Sequence, residues 1–285
     1  MIEALSKKEI PEASMTQSTD RLRQSNRGAI HVDKVSVEFK RNGQAFSALA
    51  PVDLNVEAGA FVSFLGPSGC GKTTLLNVIS GMLRPTTGSV QIDDTPVTRP
   101  IPLCNVVFQQ HSLFPWMKVI DNVAFGPQQL GDGDPEGTAR TFLSLVGLDK
   151  FATLYPAQLS GGMQQRVAIA RALATYPPVL LMDEPFGALD AQTRTIMQEE
   201  LLKIWANFST TVIFVTHDID EAIYLSDRIV VMRTAPGSVK EVIDVPIPRP
   251  RTPKIMQSEV FSRIRLRVID LIREETLKIF NSTER

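Results

Sequence analysis

The chain has 285 residues, of which 43% are hydrophobic and 21% are charged. The length allows one large domain or two modest ones, and the composition argues against wholesale disorder. Thirty basic residues against 31 acidic ones give a net charge of −1, which argues against binding nucleic acid by charge alone. Two cysteines are too few for a disulfide scaffold, which favours a reducing compartment. Neither a membrane-spanning run nor a secretory signal is recognisable, so we expect a cytoplasmic chain. If it works at a membrane, we expect a partner to recruit it there.

The pattern of apolar residues along the chain predicts a tail, strands and helices. Residues 1–28 mix charged residues with Ser, Gln and Thr without periodicity, which predicts a flexible tail. Alternating apolar residues predict strands with one buried face near residues 35–39 and 52–56. Continuous apolar runs predict strands buried on both faces at residues 61–65, 179–182, 211–215 and 229–232. Helical patterns cover residues 73–80, 164–174 and 191–206.

Buried strands that alternate with helices predict an α/β fold with a mostly parallel core sheet. The two half-buried strands near the N-terminus predict an antiparallel β portion beside that sheet. Residues of about 110–175 contain few strand signals and are expected to be mainly helical.

The segment between the strand at 61–65 and the helix at 73–80 matches the phosphate-loop pattern G-x-x-x-x-G-K-[S/T]. Its glycines let backbone N–H groups approach phosphate oxygens, Lys72 adds a positive charge, and the Thr73 hydroxyl can bind Mg²⁺. A Gly-rich turn could match by chance, but the strand before it and the helix after it favour binding of a nucleoside triphosphate. The predicted nucleotide-binding residues are Gly66, Pro67, Ser68, Gly69, Cys70, Gly71, Lys72, Thr73 and Thr74.

Two carboxylates, Asp183 and Glu184, follow the buried strand at 179–182. Ligands of α/β sheets bind at the carboxyl ends of strands, so Asp183 is predicted to bind Mg²⁺ and Glu184 to polarise the water that attacks the γ-phosphate. An acidic pair could merely mark the end of a strand. The phosphate loop makes the catalytic interpretation the stronger one.

The segment Leu159-Ser160-Gly161-Gly162, followed by a helix start that contains Gln and Arg, resembles the signature of the ATP-binding cassette (ABC) family. Ser160 is a good N-cap, and the helix after it offers a second positively polarised N-terminus to phosphate. The resemblance implies a head-to-tail dimer that sandwiches two ATP molecules. In it, ATP held by one copy would contact Ser160, Gly161, Gly162 and Gln164 of the other.

Further positions resemble family motifs, over about residues 30–240. Gln109 would bind Mg²⁺ or the attacking water, Asp190 would reach across the dimer, and His217 would contact the γ-phosphate. Phe39 is the best match for the aromatic residue that stacks on adenine, and Phe46 is a weaker one. Core packing remains an alternative for Phe39, because this residue lies on the apolar face of its predicted strand.

The resemblance implies an ABC ATPase domain over residues 29–240, with its helical subdomain at about 110–175, and a C-terminal extension over 241–285. In the extension, Phe261, Ile264, Val268, Leu271 and Ile272 recur at helical spacing. They predict an amphipathic helix, and the solvated basic face is a more ordinary interpretation of its arginines than nucleic-acid or lipid contact.

The phrases Phe114-Pro115-Trp116, 121–126 and 247–251 resemble the nitrate, sulfonate and taurine importers, and related pyrimidine-precursor importers share them. This resemblance implies an ATP- and Mg²⁺-dependent ATPase that acts as a peripheral subunit on the cytoplasmic face of a bacterial inner membrane. Its partners would be a second copy, two permease subunits and, indirectly, a solute-binding protein. Phe114 and Trp116 would meet the permease or lie in the core of the helical subdomain. The rival hypotheses are a soluble ABC ATPase acting on nucleic acid or a protein assembly, and a nucleotide kinase, which would not explain Ser160-Gly161-Gly162.

Overall fold

The computed structural model describes residues 27–41, 44–110, 112–187, 189–206, 208, 210–234 and 236–283. The predicted tail lies outside these residues except for its last two positions. The chain forms two compact units, which we call the core unit (residues 26–112 and 177–285) and the helical unit (Leu113–Tyr176).

The described part of the core unit contains ten strands and four α-helices. The strands are β1 (Ile30–Arg41), β2 (Gln44–Val56), β3 (Phe61–Leu65), β4 (Thr87–Ile92), β5 (Thr95–Pro96), β6 (Cys104–Val107), β7 (Val179–Asp183), β8 (Thr211–Thr216), β9 (Arg228–Arg233) and β10 (Ser238–Asp244). Its helices are α1 (Lys72–Ile79), α5 (Ala191–Trp205), α6 (Ile219–Leu225) and α7 (Glu259–Thr283), with a 3₁₀ segment at Pro253–Gln257.

The helical unit is built from α2 (Val119–Gln129), α3 (Pro135–Leu145) and α4 (Gly161–Leu173). Two 3₁₀ segments, Asp149–Phe151 and Pro156–Gln158, join α3 to α4. None of the helices in the described residues is long and apolar enough to cross a membrane.

The ten strands form two sheets. The larger has the order β10-β9-β3-β8-β7-β6 and is parallel except at β10, which pairs antiparallel with β9. The smaller has the order β2-β1-β4-β5 and is antiparallel throughout. The predicted α/β fold with a mostly parallel core sheet and an antiparallel β portion is therefore confirmed.

Helix α1 is anchored by apolar side chains that belong to a cluster shared with both sheets. Its residues in this cluster are Leu75, Leu76, Val78 and Ile79. They share the cluster with Val37 and Leu49 of the antiparallel sheet and with Phe64 and Val215 of the parallel one. Because α1 begins at Lys72, this packing also fixes the loop that leads into the helix.

The end of helix α6 is held by an arginine from the segment that follows β10. The Arg251 side chain is almost fully buried and donates to the carbonyl oxygens of Tyr224 at 3.0 Å and Ser226 at 2.7 Å. It also donates to Ile247 O at 2.9 Å. Burial, helped by the neighbouring charge of Arg249, lowers the pKa of Arg251 to about 10. The cation therefore satisfies the carbonyls at the C-terminus of α6.

Replacing this buried cation leaves those carbonyls without donors. We expect Arg251→Met to lower the free energy of unfolding by about 2–4 kcal/mol, measured by urea denaturation. The matched control is Arg273→Met on the exposed face of α7, which should change it by less than about 0.5 kcal/mol. Equal effects of the two substitutions would contradict the anchoring role of Arg251.

Candidate active site

The loop between β3 and α1 has the backbone conformation that a phosphate cradle requires. Gly69 and Gly71 have φ angles of +79° and +91°, which glycine adopts without strain. A Cβ atom built on Gly69 would meet no heavy atom within 4 Å, so the tip of the loop is open. A Cβ on Gly71 would lie 2.5 Å from a methyl group of Leu49, so the second glycine is needed for close packing.

Lys72 crosses back over the loop that precedes it. The residue is 6% exposed, and its Nζ donates to Gly66 O at 2.7 Å and to Pro67 O at 3.1 Å. These partners are neutral carbonyls, so the hydrogen bonds do not neutralise the positive charge, which also acts on the nearby Asp183 carboxylate. A triphosphate fits this arrangement, because it would meet the ammonium group and the N-terminus of α1 at one place.

Thr73 and Asp183 place two side-chain oxygens next to each other beside the loop. The Thr73 hydroxyl donates to Asp183 Oδ1 at 3.1 Å. Burial raises the pKa of Asp183, the Thr73 hydrogen bond lowers it, and the charge of Glu184 raises it further. In the described residues no group of three or more His, Cys, Asp or Glu side chains has metal-binding geometry. One carboxylate and one hydroxyl fit Mg²⁺, which takes few protein ligands and shares phosphate oxygens and water.

Glu184, His217 and Gln109 lie together at the same edge of the sheet. The Glu184 backbone has φ of +45°, a conformation that costs energy in a non-glycine residue, and its N–H donates to Val215 O at 3.0 Å. Glu184 Oε2 is 3.2 Å from His217 Nδ1. A Cβ built on Gly187 would lie 3.8 Å from Glu184 Oε2 and 3.9 Å from Gln109 Nε2, so both side chains border Gly187.

The signature residues belong to the helical unit. Ser160 is the N-cap of α4, and its Oγ accepts from Met163 N at 3.3 Å. Gln164 Nε2 donates to the carbonyl oxygens of Pro156 at 3.0 Å and Leu159 at 3.2 Å. Gln164 therefore braces the turn before the helix. Nothing in the sequence pattern indicated this bracing role. Gly161 and Gly162 open α4 directly after Ser160.

Asp190 is the N-cap of helix α5 in the single chain. Its carboxylate accepts from Thr193 N at 3.0 Å and from Thr193 Oγ1 at 2.7 Å. These hydrogen bonds lower the pKa of Asp190. The preceding Ala188 lies outside the described residues.

Phe39 and Phe46 are opposite each other on the β1–β2 ribbon. Phe39 is 43% exposed and Phe46 is 62% exposed, so the structure does not place Phe39 in the core. Either exposed ring can therefore stack on a planar ligand.

Comparison with known proteins decides the family. The model of a family described as ABC transporter matches residues 49–187. An uncharacterized ABC transporter ATP-binding protein of Methanocaldococcus jannaschii is 47% identical over 87% of this chain and 93% of its own length. The chain belongs to the ATP-binding proteins of the ABC transporter family. The resemblance noted in the sequence is confirmed, and the chain is an ATPase of this family.

Other members of the family are similar over most of their length. An aliphatic sulfonates import ATP-binding protein of Bacillus cereus is 46% identical over 84% of this chain and 94% of its own. A nitrate import ATP-binding protein of Synechococcus elongatus is 43% identical over 87% and 92%. A solved dimeric ATP-binding cassette in a post-hydrolysis state, bound to ADP and Pi, has a TM-score of 0.70 and 35% identity over 77% of this chain and all of its own.

The turn between β9 and β10 packs against the predicted phosphate loop, a contact that the sequence did not predict. Gly237, between β9 and β10, donates to Ala48 O at 3.1 Å and accepts from Ala50 N at 2.8 Å. A Cβ built on Gly237 would lie 2.4 Å from Cys70 O. The dipeptide Pro236-Gly237 predicts a turn, but no local signal places that turn against the loop.

This close approach makes Gly237 a test of the loop geometry. We expect Gly237→Ala to push the backbone at Cys70 and to weaken ATP binding about 10-fold, measured by titration with a fluorescent ATP analogue. Gly133→Ala is the control, because its added Cβ would meet nothing within 4 Å. Unchanged affinity in Gly237→Ala would show that this turn does not shape the phosphate loop.

Proposed function

We propose that the chain is the ATP-hydrolysing subunit of an importer for a small oxyanion-bearing solute of the sulfonate, taurine or nitrate class. The observation that carries the hydrolytic role is the grouping of Glu184 and His217 beside Thr73 and Asp183. The import direction and the solute class rest on the names of the sulfonate and nitrate relatives. A pyrimidine precursor is the alternative solute.

The first step is binding of the triphosphate by the loop. Backbone N–H groups of residues 66–73 and the Lys72 ammonium would hold the β- and γ-phosphates. Thr73 and Asp183, with Gln109 at the rim, would hold Mg²⁺, which neutralises charge on the phosphates when bound.

The second step is attack of water on the γ-phosphate. The Glu184 carboxylate would accept a proton from that water and orient it. Its contact with His217 Nδ1 leaves the other ring nitrogen, Nε2, to face the γ-phosphate. The strained backbone of Glu184 directs the carboxylate out of the strand end, which suits a residue that must reach a substrate.

A second copy of the chain would complete each site. Ser160, Gly161 and Gly162 present the N-terminus of α4, and this end would bind the γ-phosphate held by the other copy. Asp190 would lie at the same boundary, and Phe39 or Phe46 would stack on adenine. The similar solved cassettes are dimers, which supports this arrangement.

Removing the Glu184 charge tests the hydrolytic step. We expect Glu184→Gln to reduce ATP turnover at least about 100-fold while ATP binding is retained, because only proton acceptance is lost. The variant should then accumulate as an ATP-bound dimer, measured by light scattering. Glu136→Gln, a substitution of an exposed residue, is the control. Turnover at the wild-type rate would remove Glu184 from the mechanism.

An aromatic cluster in the helical unit is proposed to receive the permease. The centroid of the Phe114 ring lies 5.6 Å from that of Trp116 and 5.0 Å from that of Phe125. The Arg171 guanidinium lies 5.4 Å from the centroid of the Phe114 ring. Trp116 is 73% exposed although it belongs to this cluster. Tryptophan and arginine are both enriched at interface hot spots. Docking here would hold the chain at the cytoplasmic face of the membrane.

Truncating the exposed ring tests this docking site. We expect Trp116→Ala to leave basal ATPase activity unchanged but to reduce co-purification of integral membrane protein at least about 10-fold. Leu130→Ala is the control, because Leu130 is an exposed apolar residue of the same unit outside the cluster. Undiminished recovery with Trp116→Ala, or recovery of nuclease-sensitive nucleic acid instead of membrane protein, would contradict the proposal.

A further inference from the structure

Helix α5 connects the segment before it to the residue after His217. Arg194, in the first turn of α5, donates from one terminal nitrogen to Leu189 O at 3.1 Å. Its other terminal nitrogen lies 3.4 Å from Asp218 Oδ2. Asp218 directly follows His217, and its other carboxylate oxygen caps α6 by accepting from Glu221 N at 3.1 Å. Arg194 therefore links the start of α5 to the start of α6.

One turn further along α5, a second contact reaches the residue before His217. Gln198 Nε2 donates to Glu221 Oε1 at 2.9 Å, and the other oxygen of Glu221 accepts a hydrogen bond from the Thr216 hydroxyl. Burial raises the pKa of Glu221, and these two donors oppose that shift. The Thr216 hydroxyl in turn accepts from Asp218 N at 3.0 Å. Both neighbours of His217 are thus tied to α5.

The His217 ring itself is poorly enclosed. Its side chain is 64% exposed, and within the described part of the chain its polar contact is the one with Glu184. Packing around the ring therefore contributes little to its direction, which depends on the Glu184 contact and on the backbone on either side of the histidine. That backbone is held through Asp218 and Thr216.

We propose that Arg194 is a positioning residue for His217. It acts through Asp218, and the Gln198–Glu221–Thr216 contacts hold the other side of the histidine. The inference rests on the proposed function, because it assumes that His217 contacts the γ-phosphate. Arg194 touches neither substrate nor metal in this role. Its loss should misdirect the histidine and leave the nucleotide-binding loop intact.

A double-mutant cycle of Arg194→Ala and His217→Ala tests the proposal. We expect Arg194→Ala to lower kcat for ATP about 10-fold with KM changed less than about twofold, because transition-state contact is lost and binding is kept. Arg194→Lys, which retains a cation, should recover part of kcat. In the His217→Ala background, Arg194→Ala should lower kcat less than about twofold further. The control is Glu200→Gln, a residue of the same helix that pairs with Lys203.

The outcomes separate this proposal from the proposed function. Independent, multiplicative losses from the two substitutions would overturn the positioning role and leave the catalytic role of His217 standing. Wild-type turnover in His217→Ala would overturn the proposed role of His217, and the positioning role with it.

If the ATPase activity of the variants is too low to measure, NMR of the nucleotide-free chain provides a second test. The chain contains three histidines, so ring ¹⁵N resonances can be assigned by substitution. We expect Arg194→Ala to shift the His217 Nδ1 resonance and Glu200→Gln to leave it in place. If Arg194→Ala does not fold, Arg194→Met keeps the apolar stem and serves instead. An unshifted His217 resonance in the folded variant would overturn the proposal.

Discussion

The parallel pairing of β3, β7 and β8 is the constraint on which the site depends. Leu65 pairs with Thr216, and Asp183 pairs with Val215, so the three strands end at one edge of the sheet. The phosphate loop, the Asp183-Glu184 pair and His217 each begin where one of these strands ends. The pairing of these strands therefore brings together groups that are far apart along the chain, as is general for ligand sites of parallel sheets.

The helices that follow these strands fix the positions of the residues in the connecting loops. Helix α1 is buried between residues of both sheets and holds Lys72 and Thr73, while α5 and α6 begin at the capping carboxylates Asp190 and Asp218. The residues proposed for catalysis and for dimer contact lie at or beside these capped helix starts, so a shift of a helix would displace them. Ser160 occupies the same kind of position in the helical unit. If both helix starts bind phosphate as proposed, a chain that carries them in different units is suited to share its sites with a second copy.

Local patterns predicted the parts of this molecule whose physics is local. Apolar runs located β3, β7, β8 and β9 to within about a residue. The phosphate-loop motif predicted a nucleotide site because the strand, the turn and the helix start that it needs are contiguous in the sequence. Contacts between distant segments left no such signal. The approach of Gly237 to Cys70, the bracing by Gln164 and the Arg194–Asp218 pair arise from tertiary packing, and Phe39 follows an apolar alternation yet lies at an exposed part of its strand.

A crystal structure of the Glu184→Gln chain with ATP and Mg²⁺ tests the central claim most directly. That claim is that one edge of the parallel sheet binds the triphosphate and that a second copy closes over it. We predict phosphates within hydrogen-bond distance of Lys72, Mg²⁺ ligated by Thr73 and Asp183, and the γ-phosphate contacted by Ser160 of the other copy. A triphosphate bound away from residues 66–73, or bound there with no second copy over it, would contradict the account.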